Sequence, residues 1–213
     1  MRGLFIALEG SDGSGKTTVL NGIRNHFDKA GIEVLYTREP GGPPIAEKIR
    51  ALLLDPMNGE MTAMTEALLY AASRAQHVEE VVLPALEKGT IVLTDRFVLS
   101  SLAYQGAARG LGLPAVAEIN RYATGGLMPD LTIFLDVDPV TVLRRKAETA
   151  KKDRLEEAGD AFFQKVYNGY QQAIPMMPHV VRIDASKPAE AVIEATWQAI
   201  EKSHARWQKG ATR

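Results

Sequence analysis

Short apolar runs alternate with longer amphipathic segments along the chain. The runs lie at residues 4–9, 33–37, 90–94, 131–135 and 180–183. Each is short and mostly apolar, which is typical of strands that are buried on both faces of a sheet. The pattern therefore predicts five strands.

The segments between these runs carry apolar residues at helical spacing. They predict helices at residues 16–29, 45–54, 62–88, 100–108, 114–124, 139–147, 161–174 and 188–207. Pro84 lies within the longest of these, and we expect it to kink or split that helix because proline has no N–H to donate. Parallel strands need crossover connections, so this alternation predicts an α/β fold, with a five-stranded parallel sheet and helices on both of its faces.

Length and composition limit the number of domains and the kinds of site. The 213 residues suffice for one α/β core and leave little room for a second, and no linker or repeat divides them. We therefore expect a single domain over residues 1–213. Hydrophobic residues make up 46% of the chain and charged residues 24%, as in ordinary globular proteins. The sequence has no cysteine, which excludes disulfides, thiolate metal sites and cysteine nucleophiles.

The charge balance and the hydropathy pattern argue against two kinds of partner. A formal net charge of −1 lacks the basic excess of nucleic-acid-binding domains. No apolar run reaches the roughly 18 residues that a membrane span requires, and the first residues lack the pattern of a signal peptide. We expect no nucleic-acid partner, no membrane partner and a cytoplasmic setting. The basic segment after residue 201 is expected to form a solvated end.

A phosphate-binding motif lies between the first predicted strand and the first predicted helix. Residues 10–17, GSDGSGKT, match the pattern G-x-x-x-x-G-K-[ST] in full. The glycines let the backbone curl so that its N–H groups point at phosphate oxygens, and the helix start adds the positive end of a dipole. Lys16 is expected on the β- and γ-phosphates, and the Thr17 hydroxyl is a candidate ligand of Mg²⁺. The motif predicts a P-loop NTPase fold that binds a nucleoside triphosphate.

Two charged residues follow the third predicted strand. Asp95 stands just beyond the run 90–94, and Arg96 comes next. The carboxyl ends of parallel strands form the edge of the sheet where ligands bind. A carboxylate there can hold Mg²⁺ directly or through water, and an arginine can reach a transferring phosphoryl group. Asp95 could also cap a helix, and the two roles are compatible.

Three classes of P-loop protein fit these features: small nucleotide kinases, GTPase switches, and ATPases that drive assembly or transport. A GTPase needs an Asn/Thr-Lys-x-Asp motif after a strand, but the nearest match, AKKD at residues 150–153, has the wrong first residue and lies in a charged segment. Asp95 is followed by Arg-Phe-Val and not by x-x-Gly. Motor ATPases usually contain extra domains, for which this chain has little room. The sequence therefore favours a kinase.

A cationic segment supports the kinase interpretation. Residues 144–154, RRKAETAKKDR, carry six bases and two acids. The same composition would suit a solvated helix face. Next to a P-loop we interpret the segment as part of a small lid, at about residues 144–156, which would exclude water during phosphoryl transfer.

The sequence resembles the thymidylate kinase family over almost all of its length. The segments that carry the resemblance are FIALEGSDGSGKTT, TREPGG, AEKIRALLL, LLYAASRAQHV, LTDRFVLSSLAYQG, PDLTIFLDVDP, DRLE and IDASKP. The resemblance implies transfer of the γ-phosphoryl group of ATP to dTMP, with Mg²⁺ as cofactor and a homodimer as the assembly. Another nucleoside monophosphate kinase is the alternative. A deoxynucleoside kinase would need a carboxylate base, for which Glu39 is available, but an arginine that holds an acceptor phosphate, Arg50, argues against it.

The resemblance also implies the residues of each site. The ATP site would contain Gly10, Ser11, Gly13, Ser14, Gly15, Lys16, Thr17, Thr18, Ala185 and Lys187. The dTMP site would contain Asp12, Arg38, Pro40, Arg50, Leu54, Tyr70, Arg74, Arg96, Ser101, Tyr104 and Gln105. Mg²⁺ would be held by Thr17 and Asp95, and the catalytic residues would be Asp12, Lys16, Arg96, Arg145 and Arg154.

Several of these residues have more specific implied roles. Asp12 would approach the sugar 3′-hydroxyl, and Arg50 would bind the dTMP phosphate. Tyr70 would stack on thymine and Arg74 would hydrogen-bond its edge, which is consistent with a shared helix face because residues at i and i+4 are neighbours. Arg96 would bridge the donor and acceptor phosphates.

Two segments depart from the family pattern, the residue after TREPGG and the lid. Pro43 follows TREPGG where many members have threonine, so a hydroxyl and an N–H are lost there. Ala147 and Thr149 stand where some bacterial members carry a lid arginine, and Arg145 and Arg154 are the replacements we favour. The four histidines show no metal-ligand spacing and are given no role.

Overall fold

The sheet is the centre of the molecule. The computed structural model describes residues 2–146 and 160–210. Its five strands are β1 (Phe5–Glu9), β2 (Val34–Arg38), β3 (Ile91–Asp95), β4 (Leu131–Asp136) and β5 (Val180–Asp184). All paired strands are parallel, in the order β2-β3-β1-β4-β5. The predicted α/β fold with a five-stranded parallel sheet is confirmed.

Nine α-helices lie within the described residues. They are α1 (Lys16–Ala30), α2 (Pro44–Leu54), α3 (Ala63–His77), α4 (Leu83–Glu87), α5 (Val98–Ser101), α6 (Leu113–Ala123), α7 (Pro139–Lys146), α8 (Asp160–Ala173) and α9 (Ala189–Gly210). Short 3₁₀ turns occupy Pro56–Asn58 and Ile174–Met176. No helix in the described part of the chain is long and apolar enough to cross a membrane.

Two of the predicted helices contain π-helical segments. The predicted helix 62–88 consists of α3, a π-helical segment at Val78–Val82, and α4. Pro84 lies in the first turn of α4, directly after that segment, so the expected interruption is confirmed. The predicted helix 100–108 starts two residues early, as α5, and continues as a second π-helical segment, Leu102–Ala108.

Each face of the sheet covers its own hydrophobic core. On β1, Phe5 and Ala7 belong to one cluster, whereas Ile6 and Leu8 belong to the other, because successive side chains of a strand point to opposite faces. The second cluster extends to α9, where Trp207 packs against it. The expectation of a solvated end after residue 201 is therefore wrong at Trp207, since α9 continues to Gly210.

The register of the strands brings several charged residues to the carboxyl edge. Asp95 is paired with Leu8 of β1 and with Arg38 of β2. Asp95 is the last residue of β3 and not the first residue beyond it, a shift of one position from the prediction. This edge carries the candidate site.

Candidate active site

A cleft of about 470 Å³ opens at the carboxyl edge of the sheet. It is lined by every residue predicted for the acceptor nucleotide, namely Asp12, Arg38, Pro40, Arg50, Leu54, Tyr70, Arg74, Arg96, Ser101, Tyr104 and Gln105. It is also lined by part of the phosphate-binding loop, Gly13, Gly15, Lys16, Thr17 and Thr18, and by Asp95, Glu39 and Ser100. One cleft therefore contains both the phosphate-binding loop and the acceptor candidates.

Not every predicted residue lies on the wall of this cleft. Gly10, Ser11 and Ser14 belong to the loop but do not line the cleft. Ala185 and Lys187 also lie outside its lining, just beyond the carboxyl end of β5. Arg154, the side chain of Arg145 and almost all of the predicted lid at 144–156 lie outside the described residues.

The phosphate-binding loop has the left-handed backbone that glycine permits. Gly10, Gly13 and Gly15 all have positive φ, and Gly15 is the residue before α1. A Cβ on Gly10 would lie 2.7 Å from Ser14 Oγ and 3.0 Å from the Leu135 carbonyl oxygen, so only glycine fits there.

Lys16 lies across this loop. Its Nζ donates to the carbonyl oxygens of Gly10 and Ser11, at 3.0 Å each. Burial and the nearby Arg96 charge lower the pKa of Lys16 to about 8, although Asp12 and Asp95 act in the opposite direction. The ammonium group thus lies in a dehydrated site among carboxylates, and an arriving phosphate would favour its charged form.

Thr17 and Asp95 have the chemistry of a magnesium site. Both line the cleft, and Asp95 Oδ1 is buried without a hydrogen-bond partner among the described residues. An orphaned carboxylate oxygen of this kind suits a hard cation. In the described part of the chain no three histidine, aspartate or glutamate side chains are grouped so as to hold a metal. A cation bound here would therefore take its remaining ligands from phosphate and water, as Mg²⁺ commonly does.

Arg96 is held in a strained backbone conformation at the centre of the cleft. Its φ is 69°, a left-handed value that non-glycine residues rarely adopt. Its Nη2 donates to Asp12 Oδ1 at 2.5 Å, and its Nη1 donates to the Gly10 carbonyl oxygen at 3.0 Å. Burial would lower the pKa of Arg96, but the Asp12 carboxylate raises it well above its ordinary value. Arg96 therefore remains charged beside the phosphate-binding loop.

Glu9, a residue that the sequence pattern did not single out, is the buried carboxylate that positions the segment around Arg96. Its Oε1 accepts from the backbone N–H groups of Phe97 and Ser100, at 2.8 and 3.2 Å, and its Oε2 accepts from Ser100 Oγ at 2.5 Å. Burial raises the pKa of Glu9 despite these bonds. These contacts satisfy N–H groups at the start of α5, which explains why that helix begins earlier than predicted. An acid at the end of an apolar strand was the available signal.

Asp12 and Tyr104 form the side of the cleft assigned to the sugar. Tyr104 Oη donates to Asp12 Oδ2 at 3.0 Å. Burial raises the pKa of Tyr104 well above its ordinary value, so the phenol keeps its proton and acts as the donor.

Arg74 is a buried residue with several fixed partners. It is only 2% exposed and donates from Nε to Glu39 Oε2 at 2.6 Å and from Nη2 to the Phe97 carbonyl oxygen at 3.0 Å. Its Nη1 donates to Ser101 Oγ at 2.9 Å and to Asn120 Oδ1. A guanidinium has five N–H groups. One N–H on Nη2 therefore has no acceptor among the described residues and is available to a ligand in the cleft.

Gln105 is oriented by a carboxylate that the sequence analysis also missed. Its Nε2 donates to Glu66 Oε1 at 2.8 Å, and Glu66 is paired with Arg109 Nη2 at 3.1 Å. Because an ionised carboxylate only accepts hydrogen bonds, the amide nitrogen faces Glu66 and the amide oxygen faces away from it. Tyr70, four residues before Arg74 on α3, lines the same cleft, as the helical spacing predicts.

Two further arginines flank the loop after β2, Arg38 at the end of β2 and Arg50 on α2. Arg50 Nη1 donates to the Pro40 carbonyl oxygen at 2.7 Å, and Arg38 Nη2 donates to Glu47 Oε2 at 3.0 Å. Pro43 precedes α2, where it makes no side-chain capping bond, and Glu47 accepts instead from the Gly42 N–H at 2.7 Å.

Comparison with known proteins assigns the whole arrangement to one family. Residues 8–196 match the family model described as thymidylate kinase. A thymidylate kinase of Finegoldia magna is 49% identical over 199 residues, covering 93% of this chain and 98% of the relative. One of Lactobacillus delbrueckii is 52% identical over 207 residues, covering 95% and 98%. One of Enterococcus faecalis is 52% identical over 204 residues, covering 94% and 96%.

Proposed function

The chain belongs to the thymidylate kinase family, and from this premise we infer that its cleft transfers the γ-phosphoryl group of ATP to dTMP, giving dTDP and ADP. The observation that carries the inference is that the phosphate-binding loop, through Gly13, Gly15, Lys16 and Thr17, lines the same cleft as the acceptor candidates. The geometry also bears on the deoxynucleoside kinase alternative. Glu39 lies 2.6 Å from Arg74 Nε and 2.8 Å from His77 Nδ1, so both of its oxygens are bound and it is not placed to act as a base.

We propose that the chain lowers the barrier by positioning the two nucleotides and supplying positive charge. The acceptor is a phosphate monoester, whose oxygen is already anionic near neutral pH, so no strong general base is required. The obstacle is repulsion between two polyanions and charge on the moving phosphoryl group. Lys16 and Arg96, both lining the cleft, are the cations assigned to this task, and Arg145 and Arg154 are proposed to add charge from the lid.

Mg²⁺ is proposed as the cofactor, held by Thr17 and Asp95. The bound ion would neutralise phosphate charge on the donor. The buried, unpartnered Oδ1 of Asp95 supports this assignment.

The acceptor is proposed to bind through contacts that recognise its three parts. Arg50 would bind the phosphate, and Asp12 with Tyr104 would contact the sugar. Tyr70 would stack on the base, and the available N–H of Arg74 would pair with the base edge. Gln105, whose amide oxygen faces away from Glu66, would contribute an acceptor to the same pocket.

The assembly and the setting are also proposals. We propose one domain over residues 1–213, a cytoplasmic setting and a homodimer formed through α2 and α3. Four large apolar side chains on these helices are about half exposed: Ile45 (53%) and Leu52 (52%) on α2, and Met64 (45%) and Leu68 (51%) on α3. A second copy of the chain would cover them.

The deciding experiment is an ADP-production assay with ATP and Mg²⁺ across dTMP, dUMP, dCMP, CMP, UMP, AMP, GMP and thymidine. We expect selective turnover of dTMP that is abolished by K16A and by EDTA. dUMP should be a weaker substrate, because one methyl group is worth only about 1–3 kcal/mol. Preferred turnover of another monophosphate would keep the mechanism and discard the base-pocket roles. ATP hydrolysis without dependence on an acceptor would overturn the kinase assignment.

A further inference from the structure

His77 is a fully buried histidine for which phosphoryl transfer has no direct use. It lies on α3, three residues after Arg74, and is 0% exposed. Its Nδ1 is 2.8 Å from Glu39 Oε1, and its Nε2 is 2.7 Å from Thr37 Oγ1. His77 therefore links the end of β2 to the carboxylate that binds Arg74.

The hydrogen-bond chemistry fixes the direction of this link. Glu39 Oε2 accepts from Arg74 Nε at 2.6 Å, as expected for an ionised carboxylate in a buried ion pair. Since an ionised carboxylate only accepts, His77 Nδ1 must carry a proton and donate it to Oε1. In the neutral ring the other nitrogen, Nε2, then accepts a hydrogen bond from the Thr37 hydroxyl. The chain of contacts runs from Thr37 through His77 and Glu39 to the Arg74 guanidinium.

Thr37, His77 and Glu39 are arranged as the hydroxyl, imidazole and carboxylate of a nucleophilic triad, but their surroundings differ from those of a catalytic triad. His77 has no solvent-exposed surface, and the second oxygen of Glu39 is bound by Arg74. A Cβ on Gly42 would lie 2.8 Å from His77 Cδ2, so backbone covers the ring. A substrate therefore cannot reach the imidazole, and the contact of His77 that leads toward the cleft is the one with Glu39, the partner of Arg74.

Helix α3 is hydrogen-bonded to the loop after β2 through Ser73, Arg74 and His77. Glu39 belongs to the loop after β2, whereas Arg74 and His77 belong to α3. Ser73, the neighbour of Arg74, accepts from the Gly41 N–H at 3.2 Å. With His77 binding one oxygen and Arg74 the other, the Glu39 carboxylate has a single orientation. It fixes the Nε side of the guanidinium, while Ser101, Asn120 and the Phe97 carbonyl oxygen hold the Nη side.

We propose that His77 is a positioning residue for base selection. Through Glu39 it orients Arg74 so that the remaining N–H on Nη2 meets a carbonyl oxygen on the base edge. This rests on the proposed function. Thymine and uracil present a carbonyl oxygen at position 4, whereas cytosine presents an amino group, which cannot accept. Rotation of Arg74 would therefore weaken discrimination against dCMP and leave discrimination between dTMP and dUMP unchanged, because the methyl group is not read by this N–H.

The test compares H77L, which removes both bonds, with H77N, which keeps a donor for Glu39. The control is H26L, the same change at a histidine that stacks on Trp197 and does not line the cleft. Steady-state assays would give kcat and KM for dTMP, dUMP, dCMP and ATP. For H77L we expect about a tenfold rise in KM for dTMP and about a tenfold fall in the dTMP-to-dCMP ratio of kcat/KM. The dTMP-to-dUMP ratio and the KM for ATP should change less than about twofold.

Two further variants and three possible failures complete the test. H77N should recover most of the dTMP-to-dCMP ratio of kcat/KM. T37V, which removes only the hydroxyl, should lower this ratio less than H77L does, and it provides the test if H77L does not fold. The proposal would be overturned by an equal fall of kcat/KM for all four substrates, or by an unchanged dTMP-to-dCMP ratio in folded H77L and T37V. Either result would leave the wild-type protein a dTMP kinase. A wild-type protein without dTMP turnover would overturn the proposed function itself, and the proposal with it.

Discussion

At the scale of single residues, Lys16 links burial to the pH dependence of the reaction. Its pKa is lowered to about 8, so the free enzyme loses this positive charge as the pH rises through that value. Bound phosphates favour the charged form, so the complex with ATP keeps the proton to a higher pH. We therefore expect kcat/KM for ATP to fall above about pH 8, while kcat is maintained further into the alkaline range.

Steady-state kinetics between about pH 6 and about pH 10 would measure this difference. The value of kcat/KM for dTMP at saturating ATP serves as the control, since Lys16 is then already bound to phosphate. A kcat/KM for ATP that does not change across the range would contradict the assignment of Lys16.

Arg50 gives the second prediction at this scale. It lines the cleft beside the Pro40 carbonyl oxygen, and its proposed partner is the dTMP phosphate. R50A should raise KM for dTMP by on the order of tenfold or more, because a charge-assisted bond is lost, and should leave KM for ATP unchanged. R24A, which removes an arginine that lies over Tyr36 outside the cleft lining, is the matched control. An unchanged KM for dTMP in R50A would contradict the assignment of Arg50 to the dTMP phosphate.

The sequence predicted the residues of the cleft better than it predicted their partners. The phosphate-binding loop is read from one contiguous motif, and the acceptor residues come from short segments with a family resemblance. Glu9 and Glu66 were missed because each acts through residues far away in sequence. Glu9 binds Ser100, and Glu66 binds Arg109, and no local pattern encodes either contact.

At the scale of elements, the contact between α8 and the second π-helical segment constrains the cleft. A Cβ on Gly169 would lie 2.7 Å from both the Ala103 carbonyl oxygen and Ala107 Cβ. The same π-helical segment carries Tyr104 and Gln105. Close packing of α8 against it therefore bears directly on the acceptor pocket.

Substitution of Gly169 tests this constraint. G169A should destabilise the protein by roughly 1–3 kcal/mol, because overpacking outweighs the better helix propensity of alanine. It should also raise KM for dTMP by displacing Tyr104 and Gln105. N168A, at an exposed position of the same helix, should leave KM for dTMP unchanged and should not lower the stability, because alanine is the better helix former. Urea unfolding and steady-state kinetics would measure both effects. A G169A variant with raised stability and a normal KM for dTMP would show that α8 and the second π-helical segment can move apart without disturbing the acceptor pocket.

Most element boundaries followed from periodicity, and the deviations have physical causes outside the local sequence. The start of α5 is shifted by the remote carboxylate of Glu9, which satisfies the N–H groups of Phe97 and Ser100. Asp95 extends β3 by one residue because it pairs with both neighbouring strands. Neither effect is visible in a window of a few residues.

At the scale of the whole molecule, the exposed apolar residues of α2 and α3 predict the state of assembly. Residues 45 and 52 are seven positions apart on α2, and residues 64 and 68 are four positions apart on α3, so each pair shares a helix face. L68E should place a charge in the proposed interface and shift the protein from dimer to monomer in sedimentation velocity. V140E, at a 76% exposed position on α7, is the matched control and should remain dimeric. A monomeric wild-type protein would contradict the prediction.

The order of the candidate residues along the chain has a consequence for how such an enzyme can diversify. Apart from Asp12, the residues proposed for dTMP all fall in one uninterrupted stretch, 38–105, whereas the phosphate-binding loop lies before it. Within the sheet, the stretch contributes β3, which pairs with β1 on one side and with the edge strand β2 on the other. Genetic exchange of that single stretch would carry most of an acceptor specificity, together with Asp95 and Arg96, into a new host, while the phosphate-binding loop stayed in place.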